Sequence, residues 1–170
     1  MNKAESLQQI NDFEAHYRYD SNYMRELLES SPAGFEKFNN FLPMARHREQ
    51  LANVDYWVAR LAAMQAQDCG ECLQLTVRMA LEAGMDKPLI ELILSGGDEL
   101  PEELKDIYQY AVQVTVNGTP NEQLLDRIQR RYSRGELLEF GLCIASAAVF
   151  PMIKRAIGNA KSCRLMEIEI

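Results

Sequence analysis

Apolar residues recur at helical spacing along nearly the whole chain, and that periodicity leaves little room for a sheet. Leu7, Ile10, Phe13 and Tyr17 form one stripe; Tyr23, Met24, Leu27 and Leu28 form a second behind a cap at Asp20-Ser21. Ser30 to Gly34 breaks that helix, and Phe35, Phe38, Phe41 and Leu42 make a third, short stripe that stops at Pro43. Val54, Trp57, Val58, Leu61 and Met64 follow the i, i+3, i+4, i+7 rule of an amphipathic helix. Asp68, with Glu71 three residues on, reads as a capping box that opens a fifth helix, and Gly84 ends it. Asp86 before Pro88 opens a sixth, closed by Gly96-Gly97. Pro101 sits in the first turn of a seventh lined by Leu104, Ile107, Tyr108, Ala111 and Val112. Leu124, Leu125 and Ile128 mark an eighth. Arg134-Gly135 interrupts, and a long ninth helix runs to about Gly158 with a kink at Pro151. The tail from Cys163 to Ile170 alternates weakly, as a short strand or an irregular segment. The expected fold is all-α, with about eight to nine helices.

At 170 residues the chain has the length of one domain with a sizeable core. Its net charge of -7 argues against nucleic acid or an anionic membrane as partner, because phosphate calls for a cationic face. Arg46-His47-Arg48 is too short a basic cluster to change this and reads as a solvated helix start or loop. The first residues are polar, without the apolar core of a signal peptide. Leu137 to Ile157 is the most apolar stretch, but Glu139, Lys154 and Arg155 within it point to a buried helix and not a membrane span. A cytoplasmic location is expected, where a Cys-x-x-Cys suggests redox or metal chemistry more than a permanent staple.

That motif is Cys69-Gly70-Glu71-Cys72. With Asp68 as N-cap, both cysteines lie in the first turns of one helix and on one face, so the sulfurs are neighbours. A helix N-terminus favours a thiolate. Asp68 and Glu71 oppose it with negative charge, and no histidine is near in sequence, since His16 and His47 lie upstream. Zinc needs two further ligands, and Cys143 and Cys163 are single and distant. A thioredoxin-type motif follows a strand, whereas the segment before this one is helical. An inert, buried pair is the plain alternative. Cys143, inside the apolar ninth helix, reads as core; Cys163 carries no assignment. No metal site and no cofactor is expected.

Three stretches carry a family resemblance: Leu61 to Cys72, an apolar helix running into the Cys-x-x-Cys; Ala80 to Met85, the helix end that follows; and Ala145 to Gly158, a closing helix. In order and spacing the chain resembles the alkylhydroperoxidase D-like (AhpD-like) family, which shares its fold with carboxymuconolactone decarboxylases. The resemblance implies a single domain over residues 1–170, with an N-terminal helical extension (1–32), an AhpD-like core (33–158) and a C-terminal tail (159–170). It implies a homo-oligomer and a thiol peroxidase or disulfide-exchange activity, with a peroxide or disulfide substrate and an external thiol reductant. In the family pattern the second cysteine attacks and the first resolves, which assigns these roles to Cys72 and Cys69. The family's histidine falls on Thr76 and its glutamate on Trp57, so the proton relay is missing and the implied activity is weak. Thr76 offers only a hydroxyl. Trp57 is a core aromatic or an apolar wall over the thiols. Arg60 is a candidate electrostatic helper if it faces the pair, and a solvent or interface charge otherwise. Asp55 and Tyr56 are expected to point elsewhere. Lactone decarboxylation lacks its acid–base residues, and a non-catalytic AhpD-fold binding or assembly protein is the rival reading.

Overall fold

The computed structural model describes residues 2–159 and 167–170. Among these residues the fold is all-α, with nine helices: α1 Lys3–Tyr17, α2 Asn22–Ser30, α3 Pro32–Ala45, α4 Asn53–Ala66, α5 Gly70–Glu82, α6 Lys87–Leu94, α7 Glu102–Asn117, α8 Glu122–Arg131 and α9 Arg134–Ala156. Residues 167–170 are irregular, and Cys163 lies outside the described residues.

Several boundaries differ from the sequence expectation for local reasons. Pro32 occupies the first turn of α3, with Ser31 as its cap accepting from the Gly34 amide at 3.2 Å, so the break after α2 is a single residue. Pro43 falls in the last turn of α3 and does not stop it. Arg134 and Gly135 open α9 instead of interrupting it; the Ser133–Glu136 capping box sets that start.

Helix α4 is the centre, packed against α5, α6, α7 and α9. Val58, Ala59, Leu61, Ala62 and Ala63 are fully buried, and the alanines let neighbouring helices approach closely. A smaller apolar cluster joins α1, α2 and α3 through Ile10, Tyr23, Met24, Phe35 and Phe38, and reaches α5 and α9 at Leu75 and Phe150. The N-terminal helices therefore form a layer over the core. Helix α9 is long and apolar enough to cross a membrane by composition alone. It packs on α3, α4 and α7, and its Glu139 and Lys154 are buried in polar contacts, as the charges in that stretch led one to expect.

Glu139 ties α9 to the loop before α4. Its carboxylate accepts from the amides of Gln50 at 2.9 Å and Leu51 at 3.0 Å. Burial alone would raise its pKa, but these backbone donors outweigh it and hold the carboxyl below its ordinary value. Glu139→Ala strands two amides and should cost about 2–3 kcal/mol in urea unfolding at neutral pH. A depressed pKa stabilises above the unfolded carboxyl's value, near 4.3, and that contribution disappears as pH falls through the folded value. The gap between wild type and Glu139→Gln should therefore narrow as pH drops below about 4.

Candidate functional site

The chain leaves α4 through Gln67 and Asp68, whose amides bond back to Met64 and Gln65. Asp68 has φ +51, a left-handed conformation that aspartate tolerates better than most residues. It closes α4 and cannot also cap α5. The expected capping box is absent: Cys69 is the N-cap, extended at φ -127 and ψ 95, and α5 starts at Gly70. Cys72 sits in the first turn. The two sulfurs are 2.9 Å apart, against about 2.0 Å in a disulfide, and each residue is 2% exposed.

The last turns of α9 hold this junction. Arg155 donates to the carbonyls of Gln67 and Asp68. Lys154, 1% exposed, donates to Glu71 at 2.9 Å, and its ammonium lies 4.6 Å from the Tyr19 ring centre and 5.3 Å from that of Tyr23. The negative charge of Glu71 beside the thiols is thus matched by a buried cation.

Tyr19, in the turn between α1 and α2, brings its hydroxyl to 3.8 Å from the Cys72 sulfur. Burial, then the neighbouring Tyr23 and Cys72, push the Tyr19 phenol far above its ordinary value; burial and Cys72 do the same to Tyr23. Both stay neutral at physiological pH, so Tyr19 is a protonated group beside the sulfur.

Between the N-terminal layer and α4, α5 and α9 lies a cavity of about 490 Å³, within the usual range for ligand sites. Cys72, Thr76, Trp57 and Arg60 all line it. Cys69 instead lines a second cleft of about 420 Å³, with Asp68, Glu91, Ile168 and Ile170. The Thr76 hydroxyl donates to the Cys72 carbonyl at 2.8 Å, so its proton is spent on its own helix. Trp57 is half-buried, set edge-on to Tyr56 at 5.2 Å. Arg60 is buried, donating to the Cys143 carbonyl at 2.9 Å and to Ser146 Oγ, with Phe150 at 5.8 Å; it is not a surface charge. Asp55 is turned away to the Tyr132 hydroxyl, at 2.9 Å. Tyr56, expected to point elsewhere, lines the cavity and donates to the Ala45 carbonyl at 3.1 Å. His16 pairs with Glu82 on the surface, and no histidine lines the cavity. Cys143 is core: burial pushes its thiol up to about 12. No group of three or more metal-ligating side chains gathers among the described residues.

Three residues at the site were not singled out from the sequence: Tyr19, Tyr23 and Lys154. The readable signal was Lys154 at the end of the apolar run of α9, where a lysine that is buried calls for a partner. Tyr19 arrives from the segment outside the family resemblance, where spacing gives no direction. Compared with known proteins, the chain matches no family model, no curated protein and no solved structure.

The Lys154–Glu71 pair is asymmetric, because the lysine side chain is 2% exposed and the glutamate 21%. Glu71→Gln leaves a buried ammonium without its counter-ion and should destabilise by about 3 kcal/mol. Lys154→Met leaves a carboxylate that water still reaches, and should cost less than about 1.5 kcal/mol. Paired denaturation curves at pH 7 check the order, which a pair of equal worth would not show.

Proposed function

We propose that this chain is an AhpD-like thiol redox protein, acting as a peroxidase or disulfide-exchange protein with Cys72 as nucleophile and Cys69 as resolver. The surroundings of Cys72 carry this reading. Its sulfur lies 2.9 Å from a second sulfur and 3.8 Å from a neutral phenol, on the wall of a ligand-sized cavity. Cys143, equally buried, has a backbone carbonyl at 3.7 Å and the Arg60 guanidinium near its sulfur but no second thiol, and it faces neither cavity.

With a hydroperoxide, the Cys72 sulfur attacks the distal oxygen and the O–O bond breaks. Cys72 becomes a sulfenic acid, and the alkoxide leaves as alcohol with a proton from Tyr19, which the Cys72 thiol proton replaces. The Cys69 sulfur then attacks the sulfenic sulfur; an S–S bond forms and water leaves. Two electrons have passed from the dithiol to the peroxide, and an external thiol reductant restores them. With a disulfide, Cys72 forms a mixed disulfide that Cys69 resolves. Thr76 and Trp57 provide no base near neutral pH, so turnover is slow.

A non-catalytic AhpD-fold binding protein is favoured by one observation, the burial of both sulfurs. Titration of the reduced protein with cumene hydroperoxide, with thiols counted by mass, separates the two. The redox reading expects loss of two thiols as a Cys69–Cys72 disulfide. Cys72→Ser should consume no peroxide, and Cys69→Ser should halt at a sulfenic acid that dimedone traps. Tyr19→Phe should slow oxidation about a hundredfold with the same end point. Thr76→His combined with Trp57→Glu should raise turnover. Thiols that stay reduced in millimolar peroxide would sink the redox reading.

A further inference from the structure

The cavity in front of Cys72 carries charge of one sign. Arg60 lines it from α4, Arg46 and Arg48 lie exposed along its edge, and no aspartate or glutamate among the described residues lines it. The chain as a whole has 25 acidic against 18 basic residues, so this segregation runs against its composition. The rest of the wall is largely aromatic and aliphatic, with Phe13, Phe35, Phe38 and Phe150 prominent.

Arg60 is the unusual member. It is 9% exposed, yet no carboxylate lies within 4 Å of it among the described residues. Nη1 donates to two neutral oxygens, Cys143 O and Ser146 Oγ, and the neutral Cys143 thiol lies beside the guanidinium, while Nε and Nη2 donate to no oxygen or nitrogen among the described residues. No buried side-chain nitrogen or oxygen there lacks a partner, so these two nitrogens reach accessible space, and the space Arg60 lines is the cavity. A guanidinium taken out of water calls for an anion, and the Nε–Nη2 edge is the planar fork that matches the two oxygens of a carboxylate. The other two arginines are solvated, so one buried positive charge sets one negative charge on the ligand.

We propose that this cavity binds a single-headed anionic amphiphile, a carboxylic acid with an apolar tail. Its carboxylate pairs with Nε and Nη2 of Arg60, its tail lies along the phenylalanine wall, and Arg46 and Arg48 draw the anion in. This deepens the thiol reading and rests on it for one step: the molecule that reacts at Cys72 is an acid-bearing hydroperoxide or disulfide. Binding itself uses no thiol.

Isothermal titration of the full chain with decanoate, decanol and decyltrimethylammonium tests it. Decanoate should saturate at one per chain, with decanol and the cation at least about tenfold weaker. Arg60→Met should weaken decanoate about tenfold or more and leave decanol unchanged. Arg46→Gln with Arg48→Gln, both at exposed positions, should weaken decanoate severalfold and flatten its salt dependence. Equal binding of decanoate and decanol, no binding of decanoate, or decanoate binding indifferent to the arginine changes overturns the proposal. Decanoate binding beside thiols inert to hydroperoxide would end the redox reading alone. Oxidisable thiols without decanoate binding would end this inference alone.

Discussion

How closely other helices can approach α4 determines the rest of this structure. A helix contacted by α5, α6, α7 and α9 has almost no face left for solvent, and from Val58 to Met64 every residue is buried. Alanine at 59, 62 and 63 keeps the interaxial distances short, so α9 lies against α4 over much of its length. That contact carries the end of α9 to the α4–α5 turn, where Lys154 and Arg155 hold Glu71 and the carbonyls of Gln67 and Asp68. The dithiol is therefore positioned by long-range packing as much as by its own turn.

The interior charges show how selective this packing is. Asp106 is met by the guanidinia of Arg127 and Arg131, which hold its carboxyl below the ordinary range, Arg127 foremost. Glu139 is met by backbone amides, and Lys154 by Glu71 and two aromatic rings. Each buried ion has an opposite charge or a set of aligned dipoles. Arg60 departs from the pattern, having two neutral oxygens and a phenylalanine ring as its fixed partners. A stable core does not need a cation there; leucine or methionine at that position would fill space at lower desolvation cost. On the proposed reading, the arginine makes physical sense as the partner of an acid bound in the cavity.

The helical class and most elements were legible because apolar stripes with period 3.6 survive in the sequence wherever one helix face is buried. The stripe from Val54 to Met64 was legible only in part: α4 is buried on most of its surface, and Val54 itself is 37% exposed. The start of α5 was misplaced because Asp68 suits both a cap and a left-handed helix end, and the end of α4 took it. Cys72, Thr76, Trp57 and Arg60 line one cavity, since two of them share α5 and two lie a turn apart on α4; Cys69, the cap of α5, touches Cys72 but opens onto a second cleft. Tyr19 and Tyr23 could not be read in this way. Their approach to Cys72 depends on how the N-terminal layer folds back, and local spacing carries no information about that.

The two sulfurs touch each other but open onto different spaces. Cys72 faces the arginine-lined cavity under the N-terminal layer, and Cys69 faces the cleft bounded by α6 and the last residues of the chain. Gln74 fixes that terminal segment by exchanging two hydrogen bonds with the Glu169 backbone, both at 2.8 Å. In thiol exchange the nucleophile must meet the substrate, whereas a reductant must reach one sulfur of the resulting disulfide. Two separate openings divide those tasks: the Cys72 side is lined by arginines, with no acid among the described residues, and the Cys69 side carries Asp68 and Glu91. An anionic molecule is favoured at the first sulfur. On the thiol reading, the arginines direct an acidic substrate to Cys72 and the separate opening leaves Cys69 to the reductant, an ordering that a dithiol in a single pocket would not impose.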